Sequence, residues 1–106
     1  MNFEWDEAKR LRNITDHGVD FVDAALIFEG VVLEGPDRRN RYGEARYRAL
    51  GRVDDETFLV VYTWRGGRRR IISAWKVGPD GEKRYQAILG GGTKAFARKR
   101  RVRHKR

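Results

Sequence analysis

The chain has no cysteine, two prolines, one methionine and only two histidines in 106 residues. Without cysteine, neither a disulfide framework nor a thiolate metal site is available. Long apolar runs are also missing. The longest in the body, "FLVVY" at 58–62, is far too short to cross a bilayer. The opening "MNFEWDEAKR" carries acids from Glu4 onward and no apolar stretch of signal-peptide length. These absences predict a soluble, cytoplasmic protein, and the length suits one domain with a modest core. No cofactor or metal is called for.

Positive charge is abundant: 24 Lys+Arg against 15 Asp+Glu give +9, a balance that usually signals a polyanionic partner. Seven of those charges fall in the last nine residues, "RKRRVRHKR", which leaves a nearly neutral body of +2 over residues 1–97. A run of this kind reads as a solvated, disordered tail that can still bind phosphates non-specifically. The stretch "LGGGTKAFA" before it reads as a flexible joint, so the expected division is a domain at 1–88 and a tail at 89–106.

Within the body, two short amphipathic helices come first. "WDEAKRLRNITDHG" offers Asp6 as N-cap, apolar residues at 8, 11 and 14, and Gly18 as a left-handed stop. "VDFVDAALIFEG" repeats the pattern, with Asp20 as cap, Phe21, Ala24, Ala25 and Phe28 on one stripe, and Gly30 at the end. A sheet follows. "ARYRALGRV" alternates, placing Arg46, Arg48, Leu50 and Arg52 on one face, while "TFLVVYTW" has the β-branched and aromatic density of a central strand. Gly66-Gly67 supply the positive φ of a two-residue hairpin, so "RRRIISAWK" should return antiparallel. "GPDGEKRYQA" then gives a turn and a short C-terminal helix. The fold class expected is α+β: two N-terminal helices on one face of three to four antiparallel strands, closed by a short helix. Trp5, Phe21, Phe28, Phe58 and Tyr62 are the expected core.

Four segments, in this order, carry a resemblance: "FEWDEAK" at the start, Asn13 with "DHGVDF" across the helix junction, Asp37 ahead of "YGEARY" leading into the first long strand, and "RIISAWK" followed by Glu82 and "RY". Together they resemble the BrnT family of type II toxins over residues 2 to about 86. The resemblance implies a RelE-like fold and a metal-independent RNA endonuclease that inhibits translation. It also implies a neutralising BrnA-type antitoxin with a ribbon-helix-helix DNA-binding domain, the expected assembly being a heterotetramer of two toxins and two antitoxins. The joint and the tail lie outside it.

RNA cleavage without a metal needs the 2′-OH activated, the charge of the in-line phosphorane stabilised and the leaving 5′-oxygen protonated. Arg46, Arg48, Arg65, Arg68, Arg69, Arg70 and Lys76 are the stock of cations on or beside the sheet, the arginines matching phosphate oxygens with a planar fork. His17, Glu44 and Tyr85 are the candidate acids and bases. Each has a structural alternative: His17 can cap its helix, Glu44 can pair with a neighbouring arginine, and Tyr85 can pack the last helix. By strand alternation Trp75 shares a face with Ser73 and Arg69. In the pattern that the resemblance implies, "ISA" is followed by two basic residues, and here the first of them is Trp75. An indole stacks on a base but cannot neutralise a phosphorane as a guanidinium does. Either the chain is attenuated at Trp75 or the charge comes from Lys76, Arg69 or the 65–70 cluster; the function is then that of a toxin ribonuclease or of a catalytically silent module that binds RNA or protein on the same fold.

Overall fold

The computed structural model describes residues 2–39, 41 and 43–92, so the expected basic tail lies outside the described residues. Strand β1 (Phe3–Trp5) leads into helix α1 (Glu7–His17), the single-turn helix α2 (Phe21–Ala24) and a 3-10 helix over Ala25–Glu29. Strands β2 (Val32–Pro36), β3 (Tyr47–Val53), β4 (Glu56–Arg65) and β5 (Arg68–Lys76) follow, and helix α3 (Pro79–Gly92) comes last. The sheet order is β1-β5-β4-β3-β2. β1 runs parallel to β5, and every other pairing is antiparallel.

The α+β class stands, but the sheet differs from expectation: it has five strands and is mixed, not three or four antiparallel ones. The two strands not foreseen are short, three residues in "FEW" and five in "VLEGP", too few for an alternating pattern to register. Both helix starts form where the caps place them. The Asp6 carboxylate accepts from the Lys9 amide and Asp20 from Val22, while Gly18 ends α1 at φ 70°. The second helix changes to 3-10 geometry after one turn. At the other end, α3 runs from Pro79 through Gly92.

The core lies between the α2/3-10 segment and one face of the sheet. Phe21, Ala24 and Ile27 pack on Ala49 of β3, Phe58, Val60 and Tyr62 of β4, and Ala74 of β5. Phe21, Phe58 and Tyr62 are buried as expected, while Trp5 and Phe28 pack against this cluster only half-buried. Gly51 on β3 permits the approach, because a Cβ there would stand 2.8 Å from Ile27 Cβ and 3.0 Å from Val32 Cγ1.

Helix α1 docks by polar contacts, which overturns its expected apolar stripe. Ala8, Leu11 and Ile14 are exposed, and the side chain it buries is Asn13. Beyond residue 71 the outer edge of β5 has no strand beside it, since β1 pairs only Arg69 to Ile71. Asn13 fills that edge: its Nδ2 donates to the Ala74 carbonyl at 2.8 Å and to the Val19 carbonyl at 2.9 Å, and its Oδ1 accepts from the Ala74 amide at 3.2 Å. The carboxamide thereby imitates one peptide unit of a neighbouring strand. Arg10 anchors the helix further, donating to Asp20 at 2.8 Å and to Glu7 at 2.7 Å.

On the opposite face, the segment after β2 crosses the sheet. Its base is closed by the Asp37 amide donating to the Arg46 carbonyl at 2.8 Å, and the Thr63 hydroxyl ties it to β4 through the Ala45 carbonyl at 2.7 Å. From α3, Glu82 reaches Arg52 and Thr57.

Candidate nucleic-acid interface

A register shift between Val61 and Tyr62 decides where the side chains of β5 point. Ser73 pairs with Val61 and Ile71 with Tyr62, so Ile72 is an extra residue and the alternation reverses there. Trp75 keeps Ser73 as a face-mate, but Arg69 falls on the helix-bearing face, which corrects the expectation that the two share one face. Arg69 is enclosed there, its guanidinium carbon 4.1 Å from the Phe28 ring centroid, 4.7 Å from that of Trp64 and 5.1 Å from that of Tyr62. Glu34 accepts from Tyr62 OH at 2.5 Å and stands 3.5 Å from Arg69 Nη2. Burial, with the hydrogen bond to Glu34 second, raises the Tyr62 phenol to about 12.

The other candidates separate similarly. Arg70 pairs with Glu4 at 2.8 Å. Arg65 and Arg68 are exposed and face each other beside the Gly66-Gly67 turn. Lys76 pairs with Glu56 at 3.1 Å in a cleft that Asp20, Asp23, Asp54 and Asp55 also line, an environment that repels a polyanion. Glu44 and Arg46 pair with each other at 3.1 Å. Tyr85 is fully buried, its hydroxyl donating to the Val31 carbonyl at 3.1 Å, so it packs α3 and presents no acid or base to a surface ligand.

One group does converge. His17, exposed at the end of α1, lies with its ring centroid 5.8 Å from the half-buried Trp75 indole. Over the same indole, 6.0 Å from its centroid, stands the guanidinium of Arg39. Arg39 is held by Asp37, whose side chain is 0% exposed: Oδ1 accepts from Arg39 Nε at 2.7 Å and from the Arg39 amide at 3.2 Å, and Oδ2 from Nη2 at 2.8 Å. Arg48 approaches Asp37 Oδ1 at 3.9 Å. A shallow hollow of about 310 Å³ adjoins, with Leu33, Leu50 and Leu59 among its lining and Arg48, Arg84 and Glu34 on its rim; Leu59 is the partner of Trp75 across the strands.

Arg39 was not among the residues expected to matter, and Asp37 stood only in the segment that carries the resemblance, without a role. "PDRRNR" advertises a basic loop after a strand, but nothing in it shows which arginine turns back onto the sheet. The usable signal was the Asp two residues before an arginine, which can close an Asx-type turn on the following backbone.

Among the described residues, no group of three or more His, Cys, Asp or Glu side chains is placed to hold a metal ion. Fold and site together define a small α+β protein with its N-terminal helical segment on one face of the sheet and, on the other, α3 at one end beside a cationic, aromatic-centred surface. Residues 5–80 match the model of a family described as the ribonuclease toxin BrnT of type II toxin-antitoxin systems, and the chain belongs to that family. No curated protein sequence matches it.

Proposed function

We propose that this chain is a RelE-like, metal-independent RNA endonuclease of the cytoplasm, and that a BrnA-type ribbon-helix-helix antitoxin silences it by covering the part of the sheet face around Trp75 in an assembly of two toxins and two antitoxins. The observation that carries this reading is the convergence of His17, Trp75, Arg39 and Arg48 on that face. His17 is the one candidate acid or base in the group that is exposed, and an imidazole can take the 2′-OH proton or protonate the leaving 5′-oxygen. The two guanidiniums supply the charge that an in-line phosphorane requires. At the centre stands an indole, which adds a stacking surface and no charge, so cleavage by this chain is attenuated. Family membership supports the ribonuclease class and a protein antitoxin.

The second reading, a silent module that binds RNA or protein, draws on the same indole and on the Glu44–Arg46 pair, in which base and cation engage each other. Incubating purified protein with total RNA separates the two. Cleavage that persists in a chelator and stops when a BrnA-type antitoxin encoded beside this chain's gene is added supports the enzyme; intact RNA at every protein concentration overturns it. The same assay in the presence of antitoxin tests inhibition by coverage, because antitoxin and RNA should not be bound together.

A further inference from the structure

We infer that Asp37, Arg39 and Trp75 form a subsite for one nucleotide of single-stranded RNA, in which the indole stacks on the base, Arg39 binds the adjoining phosphate and Asp37 positions Arg39. The inference rests on the ribonuclease reading only for the identity of the ligand as RNA. Its physical basis is the asymmetry of the ion pair. The Asp37 side chain is 0% exposed, whereas those of Arg39 and Arg48 are 45% and 43% exposed. A salt bridge that merely stapled the loop would need one cation. Here one buried carboxylate faces two half-exposed guanidiniums, so the cluster keeps a net positive charge at the surface. Its fork occupies the Nε–Nη2 edge of Arg39 and removes the rotamer freedom of a long side chain before any ligand arrives.

The surroundings fit a base better than a protein side chain. Trp75 is half-buried, so its ring is held in place with part of it open. The adjoining hollow has leucines in its lining and Arg48 and Arg84 on its rim, with the Glu34 carboxylate there already engaged by Tyr62 and Arg69, which suits apolar base faces alternating with phosphates. His17, on the indole, sets the subsite against the proposed acid or base. RNA recognition of this kind requires an unpaired strand, since a base must be splayed out to stack.

The test is nuclear magnetic resonance of the full chain titrated with a 2′-O-methyl oligoadenylate, which has no 2′-OH to attack and so reports binding apart from cleavage. The chain has three tryptophans, hence three indole N–H signals, and Trp75→Phe assigns one of them. The Trp75 indole and the Arg39 Nε–H should shift together. Trp75→Ala should weaken binding about tenfold, within the range of one base–aromatic stack. Arg39→Lys keeps the charge but not the fork, so it should lower affinity while leaving the salt slope unchanged. Asp37→Asn should do the same and lose the Arg39 shift, and Arg39→Lys covers the case in which that variant fails to fold. Binding with these shifts but no cleavage of natural RNA keeps the subsite and removes the ribonuclease. Cleavage of natural RNA with shifts confined to Trp5 or Trp64 keeps the ribonuclease and overturns the subsite. Shifts produced by the antitoxin and never by the oligomer overturn it as well.

Discussion

Replacing Asn13 by Ala should cost this protein more than its exposed neighbours Leu11 and Ile14 would. The side chain makes three hydrogen bonds, at 2.8, 2.9 and 3.2 Å, to backbone groups of Ala74 and Val19. A net worth of about 1 kcal/mol for each gives a loss of roughly 3 kcal/mol, and more if water cannot reach the groups left behind. On a domain of this size that corresponds to a fall in melting temperature of about 12–20 °C. Thermal and urea unfolding followed by circular dichroism would measure it, with Leu11→Ala as the control expected to change little. A loss below about 1 kcal/mol would show that the open edge of β5 is satisfied by other means and would refute the reasoning. Asn13→Asp sharpens the test, since a carboxylate cannot donate to the Ala74 and Val19 carbonyls. Burial beside two carbonyl oxygens raises the folded-state pKa of such a group. Its stabilising form is therefore the protonated one, present at low pH and lost as pH rises through the raised value. The Asp variant should accordingly be most stable in acid. Because α1 also carries His17 to Trp75, either variant should lose RNA cleavage beyond its loss of folded protein.

Gly51→Ala should destabilise by about 1–3 kcal/mol in chemical denaturation, because its Cβ would meet Ile27 at 2.8 Å. Tyr62→Phe should remove a late phenol from the ultraviolet titration, since the Tyr62 phenol is pushed up to about 12. The matching stability is complete below the ordinary phenol range and disappears as pH rises from there through about 12. Trp75→Arg should raise cleavage of a defined RNA about a hundredfold at matched folded concentration, the value of one charge-assisted contact to a developing oxyanion; equal or lower activity would show that the chemistry uses no cation there. Deleting residues 98–106 removes seven Lys and Arg side chains and should flatten the salt dependence of RNA binding by up to about 5 units of log–log slope; an unchanged slope would show that the tail makes no phosphate contacts.

What was legible in the sequence was local. Asp6, Asp20 and Gly18 bound their helices, Gly66-Gly67 turned the β4–β5 hairpin, and the density of "TFLVVYTW" marked the central strand, because each signal acts within a few residues. Contacts between distant residues were not legible. The exposed Leu11 and Ile14 looked like a buried stripe because apolar spacing says which residues share a face and not which face docks. The 61-residue separation between Asn13 and Ala74 has no local trace, and an asparagine inside an amphipathic pattern reads as solvated.

The bulge at Ile72 shows why the site in particular escaped. Strict alternation assigns 69, 73 and 75 to one face, and a single extra residue moves Arg69 to the other. Arg69 then enters an aromatic enclosure and Arg70 meets Glu4, so neither cation next to the strand's apolar centre remains for a phosphate near Trp75. The charge at that indole comes instead from Arg39, on a segment that crosses from the far edge of the sheet and is pinned by a buried carboxylate. A guanidinium delivered by a loop can be oriented by its own acid without altering the pleat. A cation on the strand would have to displace the indole. In the proposed subsite, phosphate binding and base stacking would be set by separate segments, and a change at position 75 would alter the charge beside the indole while Asp37 still holds Arg39.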